Sequence, residues 1–325
     1  MTGSMETSVD LTSLDGLVTA MRGGHRLALS RLITKVENRS ADLTAIMTRL
    51  YPMTGGAQLI GITGPPGAGK STLVDRLAAQ YRQRGKRVAI VAVDPSSPFT
   101  GGAILGDRIR MQAHSGDPGV YIRSLGTRGK HGGLSHSTKE VVMVLDAAGF
   151  DVILIETAGV GQTELEVLRL AQTVVVVLVP ESGDSIQVMK AGLMEIADLF
   201  VVNKSDRPES DKLVRELHTM LSLVMPGEGD WHQPVLKTEA VRDQGVAALC
   251  DALESHQDFL TRTEGRKIKT LEFLKSEVLD ILTERLNLSV KKAFQTSSGV
   301  DLLNDLVARK VNPYEAASLL SGQTP

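Results

Sequence analysis

The chain has 325 residues and a formal net charge of −2, with 42% hydrophobic, 23% charged and 3% aromatic residues. This is the composition of a globular protein long enough for one large domain with appendages, or for two domains. The near-neutral charge and the scarcity of aromatic residues argue against binding to nucleic acid or to an anionic membrane surface.

The cysteine and hydropathy patterns exclude further classes. A single cysteine, Cys250, excludes an intramolecular disulfide and a multi-cysteine metal cluster, and its helical setting predicts a core residue. No apolar run reaches membrane-spanning length, and no basic region with an apolar core follows the N-terminus. We therefore expect neither a membrane span nor a signal peptide, and a cytoplasmic location fits this cysteine usage.

Residues 1–57 predict an N-terminal helical segment. Apolar residues recur at helical spacing over 27–36 and 43–50, and Tyr51-Pro52 ends the second pattern. We expect two or three helices that pack on the domain that follows.

Residues 58–262 alternate between strand and helix patterns. The predicted strands are 59–63, 87–93, 121–125, 152–157, 173–179, 199–203 and 234–238. Several are continuous Val, Ile and Leu runs, which are typical of parallel strands buried on both faces. The predicted helices between them are 72–84, 138–148, 164–171, 188–197, 211–223 and 246–260. The order predicts an α/β fold with a mainly parallel, doubly wound sheet and ligands at the carboxyl ends of its strands.

Residues 263–325 carry no further strand pattern. A long amphipathic helix is predicted over 267–294, and shorter helices over 300–308 and 314–320. A long helix outside the sheet could be a lid on the core or half of a dimer interface. We favour the interface, which predicts a C-terminal helical dimerisation arm and a homodimer.

The segment Gly64–Ser71 matches the P-loop pattern G-x-x-x-x-G-K-[ST] between a strand and a helix, which predicts a P-loop NTPase. Its glycines let the backbone turn N–H groups toward phosphate oxygens. Lys70 supplies a charge to the β- and γ-phosphates, and the Ser71 hydroxyl can bind Mg²⁺. The following helix directs its positive end at the same anion. The predicted phosphate-binding residues are Gly64, Pro65, Pro66, Gly67, Ala68, Gly69, Lys70, Ser71 and Thr72.

The tetrapeptide Asn203-Lys204-Ser205-Asp206 follows a buried strand and predicts guanine recognition. The Asp206 carboxylate can accept from both the ring N–H and the exocyclic amine of guanine, whereas adenine offers no matching pair of donors. Asn203 would tie this segment to the phosphate loop, and the stem of Lys204 can lie along the base. A backbone N–H in Thr238-Glu239-Ala240, at the end of the next strand, is predicted to contact the guanine oxygen. The predicted nucleotide is therefore GTP or GDP.

Acidic residues at two further strand ends predict a Mg²⁺ site. Glu156 lies near the end of a buried strand, where it would hold Mg²⁺ directly or through water. Asp94 ends the second predicted strand, and Asp107 closes the Gly-rich loop that follows it. Such a loop can order around Mg²⁺ and γ-phosphate and relax on hydrolysis. The predicted metal-side residues are Ser71, Asp94, Asp107 and Glu156.

Gly159 is predicted to donate its backbone N–H to the γ-phosphate. Val160 follows it, whereas Ras-like enzymes have a water-orienting Gln at that position, and Gln162 lies two residues further on. We therefore predict slow intrinsic GTP hydrolysis that a partner must accelerate.

Five segments together resemble the MeaB/ArgK family of GTPases: G-P-P-G-A-G-K-S, V-D-P-S-S-P-F-T-G-G-A-I-L-G-D-R-I-R-M, E-T-A-G-V-G-Q-T-E, an S-G-D loop and N-K-S-D. The likeness covers roughly residues 20–320. Members of this family are chaperones of adenosylcobalamin-dependent acyl-CoA mutases, chiefly methylmalonyl-CoA mutase. The resemblance implies a homodimer joined through the C-terminal arm, which gates cobalamin delivery to the mutase and protects or reactivates that enzyme.

The resemblance also assigns residues by position. Asp94, Asp107 and Glu156 match the magnesium-side acids of the family. The segment 181–190 resembles the loop that couples GTPase to mutase, with Lys190 as its working charge. Ser185 and Ala158 depart from the family pattern. The predicted catalytic residues are thus Lys70, Asp94, Asp107, Glu156 and Lys190.

Two other functions share parts of this pattern. A nickel or other metal-chaperone GTPase would show a Cys/His cluster, but this chain has one Cys and scattered His residues. A P-loop kinase would use the same phosphate loop, but it would need an acceptor pocket and no N-K-x-D segment.

Overall fold

The computed structural model describes residues 10–94, 114, 116–126, 133–159, 167–180, 193–223, 227 and 229–321, and of residues 94, 133–136 and 321 it describes the backbone. The chain divides into two compact units, Met1–Arg266 and Lys267–Pro325. The first unit contains the β-sheet, and the described part of the second is helical.

Within the described residues, the first unit is built on a seven-stranded sheet whose strands all pair in parallel. The strands are β1 Gln58–Thr63, β2 Val88–Asp94, β3 Val120–Gly126, β4 Val152–Thr157, β5 Thr173–Leu178, β6 Leu199–Asn203 and β7 Val235–Thr238. Their order across the sheet is β3-β2-β4-β1-β5-β6-β7. The prediction of a mainly parallel sheet is confirmed.

Helices cover both faces of this sheet, as a doubly wound fold requires. The helices are α1 Leu14–Arg22, α2 Arg26–Glu37, α3 Leu43–Leu50, α4 Lys70–Gln83, α5 Gly133–Ala147, α6 Leu193–Ile196, α7 Ser210–Leu221 and α8 Val246–Arg262. On one face, Leu77 of α4 and Leu249 of α8 share a buried cluster with Ile62 of β1. On the other face, Leu217 of α7 is buried with Phe200 of β6. The predicted helices 164–171 and 188–197 lie partly outside the described residues.

The N-terminal helices pack beside the edge strand β3. The buried residues of α2 include Leu32, and polar contacts add to this packing. Arg26 donates to the Val120 carbonyl at 3.1 Å, and the Arg123 guanidinium pairs with the Glu37 carboxylate. Arg123 therefore pairs with a helix of the N-terminal segment.

Cys250 is a core residue, as predicted. It lies on α8 and is fully buried among apolar residues of α4 and the sheet. Burial raises the pKa of the Cys250 thiol to about 12, so the reactive thiolate is disfavoured at neutral pH.

The second unit contains most of a long helix, α9 Gly265–Ala293, followed by α10 Ser297–Val307 and α11 Pro313–Ser321. None of the α9 residues is buried. Its exposed large apolar side chains include Ile268, Leu271, Val278, Leu282 and Leu286. In the described part of the chain, no helix is both long and apolar enough to cross a bilayer.

Candidate functional site: the carboxyl edge of the sheet

The phosphate loop joins β1 to α4 and requires glycine at two positions. Gly64 has φ 147°, and a Cβ added there would lie 2.0 Å from the Val177 carbonyl oxygen of the neighbouring strand β5. Gly69 has φ 85°, and a Cβ there would lie 2.4 Å from Asn203 Nδ2. Both the left-handed φ angles and the close contacts exclude larger residues at these positions. The loop is therefore pressed against β5 and against the predicted guanine segment.

Lys70 is the first residue of α4, and its ammonium group lies over the phosphate loop. Its Nζ donates to the carbonyl oxygens of Gly64 at 2.9 Å, Pro65 at 3.0 Å and Ala158 at 3.3 Å. The side chain is only 6% exposed. The loop carbonyls therefore hold a buried cation where the sequence predicts the β- and γ-phosphates of the nucleotide.

Ser71 and Glu156, the two predicted metal ligands whose side chains the structure describes, lie next to each other. Ser71 Oγ donates to Glu156 Oε1 at 2.5 Å, because α4 follows β1 and β1 pairs with β4. The backbone of Asp94 ends β2, which pairs with β4 on its other side. A hydroxyl and a carboxylate are hard oxygen donors of the kind that Mg²⁺ binds together with substrate phosphates. The donor set therefore fits Mg²⁺.

Several other predicted site residues lie outside the part of the chain that the structure describes. Asp107 and Lys190 lie outside the described residues, as do Val160 and Gln162. Among the residues that the structure does describe, no cluster of three or more His, Cys, Asp or Glu side chains could hold a metal ion. A Mg²⁺ ion with few protein ligands and several phosphate or water ligands is consistent with that finding.

Two buried threonines beside the loop were missed by the sequence analysis. Thr63 Oγ1 donates to the Gly159 carbonyl oxygen at 3.0 Å. Thr157 Oγ1 lies 3.0 Å from that same oxygen and 3.0 Å from Thr63 Oγ1. We call Thr63, Thr157 and the Gly159 carbonyl the threonine clasp. The sequence shows a hydroxyl residue at the end of each strand but does not show that β1 and β4 are neighbours.

Asn203 connects the predicted guanine segment to the phosphate loop, as the sequence suggested. Its Nδ2 donates to the Ala68 carbonyl at 2.8 Å. Its Oδ1 accepts from Thr238 Oγ1 at 3.0 Å and from the Ala240 amide at 3.2 Å. Because Asn203 is only 2% exposed, one buried amide group links three segments of the site.

The rest of the guanine segment is a turn in which Lys204 and Ser205 are half-buried and Asp206 is exposed. Lys204 has φ 55°, and the Ser205 amide donates to the Thr238 carbonyl at 3.1 Å. Asp206 is exposed in this turn, so its carboxylate is accessible. The Glu239 amide donates to the Gln244 carbonyl at 3.0 Å. Because the Ala240 amide also donates within the protein, a contact between 238–240 and a guanine oxygen stays a prediction.

Two charged pairs lie on the flank of α4, just before β3. His114 Nε2 lies 3.1 Å from both Asp75 Oδ1 and the Asp75 main-chain carbonyl oxygen, and the close contact with the carboxylate raises the pKa of His114. Arg82 forms two hydrogen bonds to Asp117, at 2.8 and 3.0 Å, and these lower the pKa of the Asp117 carboxyl group. These pairs connect the chain before β3 to the helix that follows the phosphate loop.

Known proteins resemble this chain in sequence and in fold. The family model described as "Methylmalonyl Co-A mutase-associated GTPase MeaB" matches residues 29–295. A Pyrococcus abyssi protein with a provisional GTPase name is 44% identical over 94% of this chain and 95% of that protein. The GTPase ArgK of Escherichia coli is 34% identical over 80% of this chain and 82% of its own length.

A mammalian relative and a crystal structure extend the comparison. The mouse protein "Methylmalonic aciduria type A homolog, mitochondrial" is 31% identical over 94% of this chain and 78% of its own. The crystal structure of a "LAO/AO transport system kinase" has a TM-score of 0.68 and 25% identity, and covers 97% of this chain and 99% of its own. With the phosphate loop and the guanine segment in place, these matches show that the chain belongs to the MeaB family of methylmalonyl-CoA mutase-associated GTPases.

Proposed function

We propose that this protein is a Mg²⁺-dependent GTPase of low intrinsic rate that acts as a chaperone of an adenosylcobalamin-dependent acyl-CoA mutase. In this role it gates the loading of the cobalamin cofactor and protects or reactivates the mutase. The family's association with methylmalonyl-CoA mutase supports this choice of partner.

The observation that carries the nucleotide specificity is the position of Asn203. Its amide links the phosphate loop, through Ala68, to Thr238 and Ala240. Buried hydrogen bonds therefore hold the predicted guanine segment at a fixed distance from the phosphate loop. The exposed Asp206 carboxylate at this turn complements the two adjacent donors of guanine, and an adenine base would leave it unpaired.

The residues around the phosphates have separate proposed roles. Lys70 binds the β- and γ-phosphate oxygens, and the N–H groups of the loop bind the remaining oxygens. Mg²⁺, held by Ser71 and Glu156, would neutralise charge that develops on the transferred phosphoryl group. We extend this metal-side role to Asp94 and Asp107 on the basis of their sequence positions.

A dimeric assembly in the cytoplasm completes the proposal. The exposed apolar side chains along α9, which recur at helical spacing, support a homodimer, because neighbouring exposed apolar side chains mark interaction surfaces. The segment 181–190, with Lys190, is proposed to transmit the nucleotide state to the mutase, on the basis of the family resemblance.

The experiment that tests this function measures GTP hydrolysis with and without the mutase. We expect slow phosphate release from the protein alone and faster release when a cobalamin-dependent acyl-CoA mutase is added. The Lys190→Ala variant should lose the stimulation. A P-loop kinase would instead transfer the phosphate to an acceptor molecule, and a hydrolysis rate that the mutase leaves unchanged would contradict the chaperone role.

A further inference from the structure

A cleft opens at the amino edge of the sheet, on the side opposite to the phosphate loop. It lies where β1 and β4 begin, beside the last turn of α4 and along α8, and its volume is about 410 Å³. Cavities that hold small ligands usually measure roughly 300–1,000 Å³. We call it the amino-edge cleft, and the polar residues that line it include Tyr81, Lys86, Asp151, Glu254, Gln257 and Asp258.

Two buried polar atoms of the amino-edge cleft lack a hydrogen-bonding partner. Tyr81 is only 1% exposed, and its hydroxyl makes no hydrogen bond to any residue that the structure describes. The Oε1 atom of Gln257 is likewise buried and unpaired among the described residues. Gln58, another polar residue of the cleft, is paired, because its Nε2 donates to the Leu253 carbonyl at 3.2 Å. Buried polar atoms in proteins are nearly always paired, so the two exceptions mark a place where a ligand would gain hydrogen bonds.

The charged side chains of the amino-edge cleft favour a cation. Three carboxylates line it, those of Asp151, Glu254 and Asp258, together with the ammonium group of Lys86. Arg84 neutralises Glu254, since the two side chains lie 2.8 Å apart. Asp151 accepts a hydrogen bond from a main-chain amide and keeps its charge, so Asp151 and Asp258 outnumber Lys86. The carboxyl end of α4, which carries a partial negative charge, lies beside the same cleft and also disfavours an anion.

The spacing of these groups argues for an extended ligand and against a single metal ion. Among the described residues, no three His, Cys, Asp or Glu side chains converge to hold a metal. Asp151 and Asp258 are exposed at the mouth of the cleft, whereas the unpaired atoms of Tyr81 and Gln257 are buried in its wall. Burial, more than any nearby charge, raises the pKa of Tyr81, so its hydroxyl is neutral and accepts a hydrogen bond. A ligand that pairs with both the wall and the mouth needs donors at two separate positions.

We propose that the amino-edge cleft binds a small aliphatic polyamine, with one ammonium group at Tyr81 and Gln257 and a second beside Asp151 and Asp258. An ammonium group has three donors and no acceptor, so two of them on a flexible chain match the acceptors at the wall and at the mouth. A ligand with a carboxylate would be repelled, and a diol would form no ion pair with the exposed carboxylates. Because the cleft and the phosphate loop lie at opposite edges of the sheet, this inference does not rest on the proposed function.

The test is calorimetric titration of the full chain with the diamine putrescine and, separately, with the matched diol, butanediol. Nucleotide is left out because polyamines also bind phosphates, and salt at about 0.15 M screens attraction between exposed charges. We expect saturable binding of putrescine and none of butanediol. Tyr81→Phe and Gln257→Leu should each weaken the binding at least about tenfold, the factor for one hydrogen bond to a charged group. The control Ser255→Ala, on α8 but outside the cleft, should bind as the wild type does.

Thermal unfolding separates loss of the ligand site from loss of the fold. Tyr81→Phe removes an unpaired buried hydroxyl, so the thermal midpoint of the free protein should stay the same or rise, while the increase caused by putrescine should shrink. Gln257→Leu serves as the test if Tyr81→Phe does not fold. The inference is overturned if putrescine shows no saturable binding, if butanediol binds equally well, or if both variants keep the wild-type affinity, which would mean that the exposed carboxylates attract any cation. None of these results would affect GTP binding, which a separate titration measures.

Discussion

Replacing Asn203 with alanine should remove the hydrogen bonds that connect the predicted guanine segment, residues 203–206, to the phosphate loop. The variant removes three hydrogen bonds, to the Ala68 carbonyl, the Thr238 hydroxyl and the Ala240 amide. At about 1 kcal/mol for each net hydrogen bond, Asn203→Ala should cost about 3 kcal/mol of unfolding free energy. For a unit of this size, that corresponds to a fall of roughly 6–12 °C in thermal midpoint.

The matched control is Thr238→Val, which removes one of the three bonds and preserves side-chain shape. Asn203 Oδ1 keeps the Ala240 amide as a donor, so the cost should be about 1 kcal/mol and the midpoint should fall roughly 2–4 °C. Thermal unfolding without nucleotide measures both costs, and calorimetry with GDP measures the affinities. Asn203→Ala should weaken GDP binding more than Thr238→Val, because only the first loses the bond to the phosphate loop. Equal stability of the two variants, or equal affinity for GDP, would show that the Asn203 amide does not link the two segments.

Three further predictions concern the base, the pH and the dimer. Asp206→Asn replaces one acceptor of the carboxylate with a donor, so the affinity for GTP should fall. The affinity for xanthosine triphosphate, which has a carbonyl in place of the guanine amine, should rise. A variant that still prefers GTP in competition binding would contradict the pairing of Asp206 with guanine. The raised pKa of His114 means that its pair with Asp75 stabilises the protein fully below pH 6.5 and loses that contribution as pH rises through the folded-state pKa. The stability difference between wild type and His114→Gln should therefore shrink from pH 6 to pH 9, with Asp117 as the other nearby charge, and a difference that is constant with pH would rule this out. The double variant Leu282→Glu, Leu286→Glu should convert the proposed dimer to monomers in sedimentation experiments. The control Lys275→Glu, also on α9, should leave the protein dimeric. A dimer that survives the two leucine changes would exclude this face of α9 as the interface.

The sheet and the phosphate loop were predictable because their signals are local in sequence. Buried parallel strands appear as continuous apolar runs, and the observed ends of β1–β7 lie within one residue of those predicted. The glycines of the loop were predictable because its backbone must turn N–H groups toward the phosphates. Asn203 was predictable because it ends an apolar run that reads as a buried strand. Helix α1 was less evident, although Ser13 caps it by accepting from the Gly16 amide.

The threonine clasp could not be predicted because it depends on how two distant strands align. β1 and β4 pair with Ile62 opposite Glu156, which brings the next residues, Thr63 and Thr157, side by side. Nothing local to either threonine indicates this pairing. The same holds for Lys70 and the Ala158 carbonyl, and for His114 and Asp75, whose contacts arise only when the chain is folded.

We propose above all that this site binds a guanine nucleotide together with Mg²⁺. The most direct measurement is calorimetric titration of the purified protein with GTP and, separately, with ATP, in the presence of Mg²⁺. The geometry around Lys70, Asn203 and Asp206 predicts clear binding of GTP and much weaker binding of ATP. Equal affinity for the two nucleotides, or no binding of either one, would contradict it.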